Sequence, residues 1–281
     1  MRHEVVRHLV CPLCRGPLGL ANGPRGPLTC PLRHSFDQAR HGYAQLSAGP
    51  LAHAGDSAVM IAARTAFLGA GHYDMITDAL RSAATSYWRR GLVLDVGVGT
   101  GHHLAGVLDG LPDDAYGLGT DVSKPAARAA ARAHARADAI VCDAWQPLPL
   151  ADATVGLALN VFAPRPGREF ARVLRPDGVL LVVVPTAAHL SELIEPLGLL
   201  RVDPAKTERV AEALDGTFTL DARSGVSGRM RLSRPEIAAL VGMGPSAWHT
   251  DPAPLKAAID ALPEPATVTA AVTLSVYRPN Q

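Results

Sequence analysis

A short apolar strand followed by a glycine-rich turn constrains this chain of 281 residues more than any other feature. Residues 92–94 form an apolar run typical of a strand that is buried on both faces. The turn after it carries Gly97, Gly99 and Gly101 at alternate positions, and a helical pattern begins at His102. Glycine lets backbone approach a ligand closely, and a helix N-terminus presents free N–H groups. The sequence therefore predicts a binding site at the tip of this strand.

The spacing of the glycines separates two classes of nucleotide-binding turn. A dinucleotide fold requires G-x-G-x-x-G, which from Gly97 would place a third glycine where this chain has His102. Asp95 and the three glycines instead form D-x-G-x-G-x-G, which resembles the first motif of class I S-adenosylmethionine (SAM) methyltransferases. An acidic residue at the turn suits a cationic ligand better than a pyrophosphate. The alternative interpretation is a glycine-rich connection in another α/β domain.

Acidic residues also end the next two predicted strands. Asp121 closes the strand that begins at Ala115, and Asp143 closes the strand that begins at Ala139. An acid in the position of Asp121 is placed to accept hydrogen bonds from ribose hydroxyls. In the resembled class, the position of Asp143 contacts adenine. We therefore expect both side chains in the cofactor site.

Strands and helices alternate through the rest of the chain. The pattern predicts further strands at residues 155–162 and 179–184, a helix at 124–139 and a final strand at 268–277. Such alternation is typical of an α/β fold with a doubly wound sheet, in which ligands bind at the carboxyl ends of the strands.

Three cysteines and a histidine near the N-terminus have the spacing of a zinc site. Cys11 and Cys14 form one knuckle, and Cys30 and His34 form a second. Two such turns supply the four ligands of a closed structural Zn²⁺ site, and about 40 residues with few apolar side chains need a metal to fold. His41 is an alternative fourth ligand. The alternative interpretation is that no metal binds and that the thiols are unligated in a disordered N-terminus.

The same N-terminal segment carries basic charge. Residues 1–40 contain six arginines and two acidic residues, whereas the whole chain has a net charge of only +1. We expect this zinc-binding segment, a small ribbon, to present a surface to RNA phosphates. The alternative is that the ribbon docks on protein. The arginines expected there are Arg7, Arg15, Arg25, Arg33 and Arg40.

These features divide the chain into three predicted parts. Residues 1–42 form a zinc-binding ribbon for RNA recognition, 43–90 a linker and helical segment, and 91–281 the SAM-dependent methyltransferase domain. No apolar run approaches the roughly 18 residues of a membrane-spanning helix, and the N-terminus lacks a signal-peptide core. We therefore expect a cytoplasmic protein without a membrane partner, and we keep a homodimer as a hypothesis.

Taken together, the motifs resemble the RlmA family of 23S ribosomal RNA guanine-N1 methyltransferases. Besides the ribbon and the glycine turn, the resemblance rests on Gly55-Asp-Ser57, Ala66-Phe-Leu-Gly-Ala-Gly-His-Tyr73, Asp121-Val-Ser-Lys124, Phe162-Ala-Pro164 and His189-Leu190. Further motifs look most like the TlrB tylosin-resistance type of this family, namely Gly99-Thr-Gly-His-His-Leu104, Ser123-Lys-Pro125, Leu159-Asn-Val-Phe-Ala-Pro-Arg165 and Met243-Gly-Pro-Ser-Ala-Trp-His249.

The resemblance implies a cofactor, a metal site and a substrate. It implies Zn²⁺ on Cys11, Cys14, Cys30 and His34, and it implies SAM contacts from Tyr73, Gly99, Thr100 and His189. The implied target is a guanine in hairpin 35 of domain II of 23S rRNA, where a methyl group would protect the ribosome from tylosin-like macrolides.

Methylation at guanine N1 also requires that a proton leave, because this nitrogen is protonated at neutral pH. The sequence does not identify the proton acceptor. Asn160 is a candidate for orienting the guanine edge and Phe162 for stacking on the base, with plain strand-end packing as the alternative. A SAM enzyme acting on a small molecule, such as a macrolide precursor, is the competing function.

Overall fold

The computed structural model describes residues 1–203, 205–244 and 252–280. The N-terminal part is a small antiparallel sheet of order β1-β2-β3 that follows a single helical turn. Its elements are α1 (His3–Val6), β1 (Gly19–Leu20), β2 (Leu28–Thr29) and β3 (Ser35–Phe36).

The larger sheet has eight strands in the order β10-β11-β9-β8-β5-β6-β7-β4. The strands are β4 (Tyr43–Gln45), β5 (Leu92–Val96), β6 (Gly117–Asp121), β7 (Ala137–Val141), β8 (Val155–Val161), β9 (Leu174–Pro185), β10 (Phe218–Leu232) and β11 (Ala266–Pro279). The strands from β4 to β9 pair in parallel, whereas β11 runs antiparallel to both β9 and β10. The predicted doubly wound sheet is confirmed, with an antiparallel pair at one edge.

Helices cover both faces of this sheet. They are α2 (Ala58–Gly69), α3 (Asp74–Tyr87), α4 (His102–Asp109), α5 (Lys124–Ala130), α6 (Gly167–Val173), α7 (Ser191–Leu197), α8 (Lys206–Leu214), α9 (Arg234–Gly242) and α10 (Pro252–Asp260). Side chains along a strand alternate between two cores, so that Val93 packs with α3 and α4 while Leu92 and Leu94 pack with the N-terminal part. Within the described residues, no helix is both long and apolar enough to span a membrane.

The predicted helix at residues 124–139 is shorter in the structure. It ends at Ala130, a turn follows, and β7 already begins at Ala137. The side chain of Arg136 donates hydrogen bonds to backbone carbonyls of the segment between α4 and β6, including that of Ala115 at 3.1 Å. This long-range contact and the pairing of β7 with β6 set the end of the helix. The alanine-rich pattern contains no local stop signal, so it predicted a helix that was too long.

The N-terminal part packs directly on the large sheet. Leu9 forms a β-bridge with Leu150, and the backbone N–H of Val10 donates to the carbonyl of Pro149 at 3.0 Å. Strand β4, from the segment assigned to residues 43–90, pairs with β7. The boundaries at residues 42 and 90 stay a prediction. The described part of the motif that spans residues 243–249 ends at position 244, so the rest of that motif lies outside the described residues.

Candidate functional site

The glycine turn connects the end of β5 to the start of α4. Gly97, Gly99 and Gly101 all have positive φ, at 75°, 53° and 80°. A Cβ at Gly97 would lie 2.6 Å from that of Ala163, and one at Gly101 would lie 2.7 Å from that of Ala133. Both the backbone conformation and the lack of space therefore exclude larger side chains from these two positions.

A cavity of about 920 Å³ opens at the carboxyl ends of the parallel strands, beside the glycine turn. Its volume is within the range of sites for small ligands and cofactors. The predicted cofactor residues that line it are Tyr73, Asp95, Gly97, Gly99, Thr100, Asp121, Asp143 and His189. Gly101 and Asn160 do not line it, and the structure brings most of the predicted site residues together at one cavity.

Asp95 is the most perturbed acid of the cavity. The residue is only 3% exposed, and burial, followed by the nearby charge of Asp121, raises the pKa of its carboxyl to about 8. A buried carboxylate with a like charge nearby is stabilised by a cation. The geometry therefore favours a positively charged ligand group at the tip of β5.

Asp121 is held in place by backbone donors at the rim of the same cavity. Its two carboxylate oxygens accept hydrogen bonds from the backbone N–H groups of Gly99 at 3.0 Å and Ser123 at 2.8 Å. Burial raises the pKa of this carboxyl, although the two N–H donors act in the opposite direction. Each oxygen can accept another hydrogen bond, as the predicted ribose contact requires.

Asp143 has a partner that sequence patterns did not reveal. Its carboxylate lies 2.7 Å from Nδ1 of His53 and accepts a hydrogen bond from the backbone N–H of Trp145 at 3.0 Å. Burial acts to raise the pKa of Asp143, but the hydrogen bonds from His53 and Trp145 outweigh it, and the pKa is lowered. Asp143 is therefore a carboxylate at neutral pH, and it lines the cavity at the position predicted for adenine.

Tyr73 and His189 form a buried pair on the cavity wall. The phenol oxygen of Tyr73 lies 3.1 Å from Nε2 of His189, and the backbone N–H of Ala271 donates to Nδ1 at 3.1 Å. Because Nδ1 accepts a hydrogen bond, the hydrogen-bond pattern assigns the ring proton to Nε2, which donates to the phenol oxygen. Burial raises the pKa of Tyr73, so its hydroxyl stays protonated.

The side chain of Asn160 makes a hydrogen bond within the protein. It is fully buried in β8, and its side-chain amide donates to the carbonyl of Pro164 at 2.7 Å. This bond closes the loop that carries Phe162, whose φ is 53° and whose side chain is 43% exposed. Phe162 lines the cavity with its ring centroid 6.5 Å from that of Tyr73. The role of Asn160 in orienting a base stays a prediction.

An arginine that the sequence analysis missed lies over the glycine turn. Arg64, on α2, pairs with Asp56 at 2.5 Å and donates to the carbonyl of Met243 at 2.7 Å. A Cβ at Gly99 would lie 3.0 Å from Nη1 of Arg64. Both members of this ion pair line the cavity. A cation and an anion side by side complement a ligand group that carries both charges.

The four predicted metal ligands meet in the N-terminal sheet. The ligand atoms of Cys11, Cys14, Cys30 and His34 all lie within 4.8 Å of one another. Nδ1 of His34 is 3.4 Å from the sulfur atoms of both Cys11 and Cys30, and the sulfurs of Cys14 and Cys30 are 3.6 Å apart. Tetrahedral Zn²⁺ with these donors has ligand separations of about 3.5–3.8 Å, so the cluster fits that ion. His41 lies elsewhere, beside Arg132.

One of the predicted RNA-binding arginines has a different contact. The guanidinium of Arg15 donates to the backbone carbonyls of Leu148 at 2.8 Å and Leu150 at 3.1 Å. It therefore fastens the ribbon to the rest of the chain while the residue stays exposed, and its contact with RNA stays a prediction.

Comparisons with known proteins agree with this two-part arrangement. A family model described as "RlmA, N-terminal" matches residues 9–47, and one described as "Methyltransferase domain" matches residues 93–178. The 23S rRNA (guanine(748)-N(1))-methyltransferase of Streptomyces fradiae is 46% identical over 282 residues, covering 99% of each chain. A protein of Micromonospora griseorubida, named as a candidate 23S rRNA (guanine-N1)-methyltransferase, is 56% identical and covers 99% of this chain and 100% of its own length.

Solved structures support the fold alone. A chain from the complex of the Haloferax volcanii Trm112 methyltransferase activator with a methyltransferase has a TM-score of 0.52 and 18% identity. The match covers 82% of this chain and 100% of that chain. At this identity the likeness describes the arrangement of strands and helices, and the site residues have to identify the chemistry.

Proposed function

The chain belongs to the RlmA family of 23S rRNA (guanine-N1)-methyltransferases, and we propose from this membership that it transfers the methyl group of SAM to N1 of a guanine in 23S rRNA. The observation that carries the proposal is the full-length match to the Streptomyces fradiae enzyme, which includes both the ribbon and the cavity. The enzyme would work in the cytoplasm, where ribosomal RNA is found. Association into a homodimer remains a hypothesis, which sedimentation analysis tests.

The residues of the cavity fit both the nucleoside part and the methionine part of SAM. Asp95 would stabilise a cationic group, Asp121 would offer acceptors to the ribose, and Asp143 would offer one to the adenine amino group. Tyr73 keeps its hydroxyl hydrogen for donation, because its oxygen already accepts from His189. The Arg64–Asp56 pair fits the carboxylate and ammonium of the methionine portion.

When bound, SAM supplies an electron-poor methyl carbon on a sulfonium. The chain must then hold the guanine so that N1 points at that carbon, and correct placement alone can contribute roughly 7–11 kcal/mol to the rate. Two exposed aromatic side chains at the cavity, Trp145 and Phe162, are 56% and 43% exposed and present faces on which an unstacked base can lie. Their position supports a flipped guanine as substrate.

The electrostatics of the site limit the routes by which the N1 proton can leave. His189 accepts at Nδ1 and donates at Nε2, and Tyr73 stays a phenol because burial raises its pKa. This pair therefore acts as a hydrogen-bond donor and orients ligand rather than removing the proton. The carboxyl of Asp95, with its raised pKa, would stabilise the cationic group of the cofactor in its ionised form.

We further propose that the target lies in hairpin 35 of domain II and that its methylation protects the ribosome from tylosin-like macrolides. The support is the identity of 46% to an enzyme whose name specifies guanine 748, together with the sequence motifs of the tylosin-resistance type.

Incubation with methyl-labelled SAM and, separately, 23S rRNA or macrolide precursors tests the function. We expect label in the RNA and a primer-extension stop at one guanine of domain II. Label in a macrolide precursor and none in RNA would identify a small-molecule methyltransferase instead. A primer-extension stop outside hairpin 35 would still support guanine methylation of 23S rRNA, but it would contradict the assignment of the target to hairpin 35.

A further inference from the structure

One face of α5 carries a row of exposed cations. Lys124, Arg128 and Arg132 are each four residues apart and exposed, and the last of them lies in the turn that continues the helix. The opposite face buries Ala126, Ala127 and Ala130 against the sheet. With a rise of 1.5 Å per residue, the row spans about 12 Å. The small residues thus pack the helix against the sheet, while its long basic side chains face solvent.

The row begins at the rim of the cofactor cavity. Ser123, the N-cap of α5, donates its backbone N–H to Asp121 at 2.8 Å and its hydroxyl to the carbonyl of Asp56 at 2.6 Å. Asp56 and Asp121 both line the cavity. Lys124 follows directly in the sequence, so the first cation of the row stands beside the entrance.

The row ends at the zinc ribbon. The guanidinium of Arg132 donates to Nδ1 of His41 at 2.6 Å, and the exposed Arg40 is next in the chain. Burial lowers the pKa of His41, and the charges of Arg128, Arg132 and Arg40 lower it further. A Cβ at Gly42 would lie 3.8 Å from that of Ala131. The last cation of the row therefore contacts the end of the ribbon, next to Arg40.

The segment that carries this row has no acidic residue of its own. Residues 122–137 contain four basic residues and no acidic one. In the part of the chain that the structure describes, neither Lys124 nor Arg128 takes part in a side-chain hydrogen bond or an ion pair. Arg136, from the same segment, is tied to backbone carbonyls instead. Lys124 and Arg128 are thus available to an anionic partner, and the guanidinium of Arg132 has further N–H donors besides the one that binds His41.

We infer that Lys124, Arg128 and Arg132, together with Arg40, form a phosphate-binding track that holds the RNA backbone between the ribbon and the cavity. This inference rests on the proposed function, because it deepens the description of how that substrate is held. A backbone that crosses the track passes from the ribbon to the entrance at Lys124. Contacts of this kind position RNA without reading its sequence and lose strength with added salt.

The test compares two double variants of the full-length, zinc-loaded protein. Lys124→Ala with Arg128→Ala removes two track cations, and alanine preserves the helix. Arg229→Ala with Arg231→Ala removes two exposed cations from β10, at the opposite edge of the sheet from β4, and is the matched control. The affinity for a 23S rRNA domain II fragment is measured across a salt series, the SAM affinity is measured separately, and primer extension follows methylation.

We expect the track variant to bind the RNA fragment several-fold more weakly and to lower the magnitude of the salt slope by about 1.4–1.8, for two lost phosphate contacts. The control variant should keep the wild-type slope, and both should bind SAM normally. If the wild type methylates the RNA but the track variant keeps the wild-type salt slope of binding, the phosphate-binding track is overturned and the proposed function stands. A wild type that binds the fragment through these residues but never methylates it would overturn the proposed function alone, and a wild type that does not bind RNA would overturn both.

Discussion

The phenol oxygen of Tyr73 lies 3.1 Å from Nε2 of His189, although 116 residues separate them in the sequence. Tyr73 immediately precedes α3, whereas His189 lies between β9 and α7. The backbone N–H of Ala271, on β11, fixes the imidazole from its other side. Three distant segments thus orient one hydroxyl toward the cofactor cavity.

The orientation of this pair predicts the effect of removing the hydroxyl. Tyr73→Phe keeps the packed ring but loses the donor, so SAM should bind about 10-fold more weakly, with little change in thermal stability. Isothermal titration calorimetry measures the affinity. Tyr116→Phe, which removes a phenol outside the cavity, is the control. Equal SAM affinities for the wild type and Tyr73→Phe would show that the hydroxyl does not contact the cofactor.

The raised pKa of Asp95 predicts a pH dependence of cofactor binding. Its carboxyl, with a pKa of about 8, is largely protonated and neutral at pH 6 and becomes the anion as pH rises. A cationic ligand favours the anion, so SAM affinity should increase between pH 6 and 7.5, by up to about tenfold per pH unit, while the ligand amine remains charged. Asp95→Asn should weaken binding and flatten this slope. Parallel slopes in the two proteins would exclude Asp95 as the titrating group.

The position of Arg64 predicts discrimination between two ligands. Arg64→Ala should weaken SAM binding about 10- to 100-fold, because a charge-assisted contact to the carboxylate is lost. It should leave 5′-methylthioadenosine, which lacks the amino-acid portion, nearly unaffected. Arg64→Lys should recover part of the SAM affinity. An equal loss for both ligands would mean that Arg64 supports the glycine turn or the nucleoside instead.

The metal cluster predicts a loss of zinc and stability together. Cys11→Ser should release Zn²⁺ and lower the melting temperature by about 5–10 °C, since a ligand of a structural site is removed and the ribbon shares a core with the large sheet. Cys142→Ala, which changes the remaining cysteine, should retain the metal. Plasma emission spectroscopy and thermal unfolding measure the two effects. Full zinc content in Cys11→Ser would rule out the proposed ligand set.

Local patterns were enough to predict the framework of the site. The apolar strand, the glycine turn and the helix after it are neighbours in the sequence, and their geometry follows from backbone sterics. Asp121 ends β6 and Asp143 comes just after β7, so the parallel pairing of these two strands alone placed both acids at the carboxyl ends of the sheet strands. The two zinc knuckles are likewise short-range features, because each closes within a few residues.

The roles of individual polar side chains were decided by the tertiary structure. Arg15 and Arg132 are both exposed arginines at the ribbon, yet one donates to backbone carbonyls and the other to the ring of His41. Asn160 bonds the loop carbonyl of Pro164, and Arg64 reaches the glycine turn from a helix far upstream. Sequence determines which donors, acceptors and charges exist and where strands end. Which of them meet depends on how the crossovers bring remote segments to the same edge of the sheet, because hydrogen bonds act only over about 3 Å.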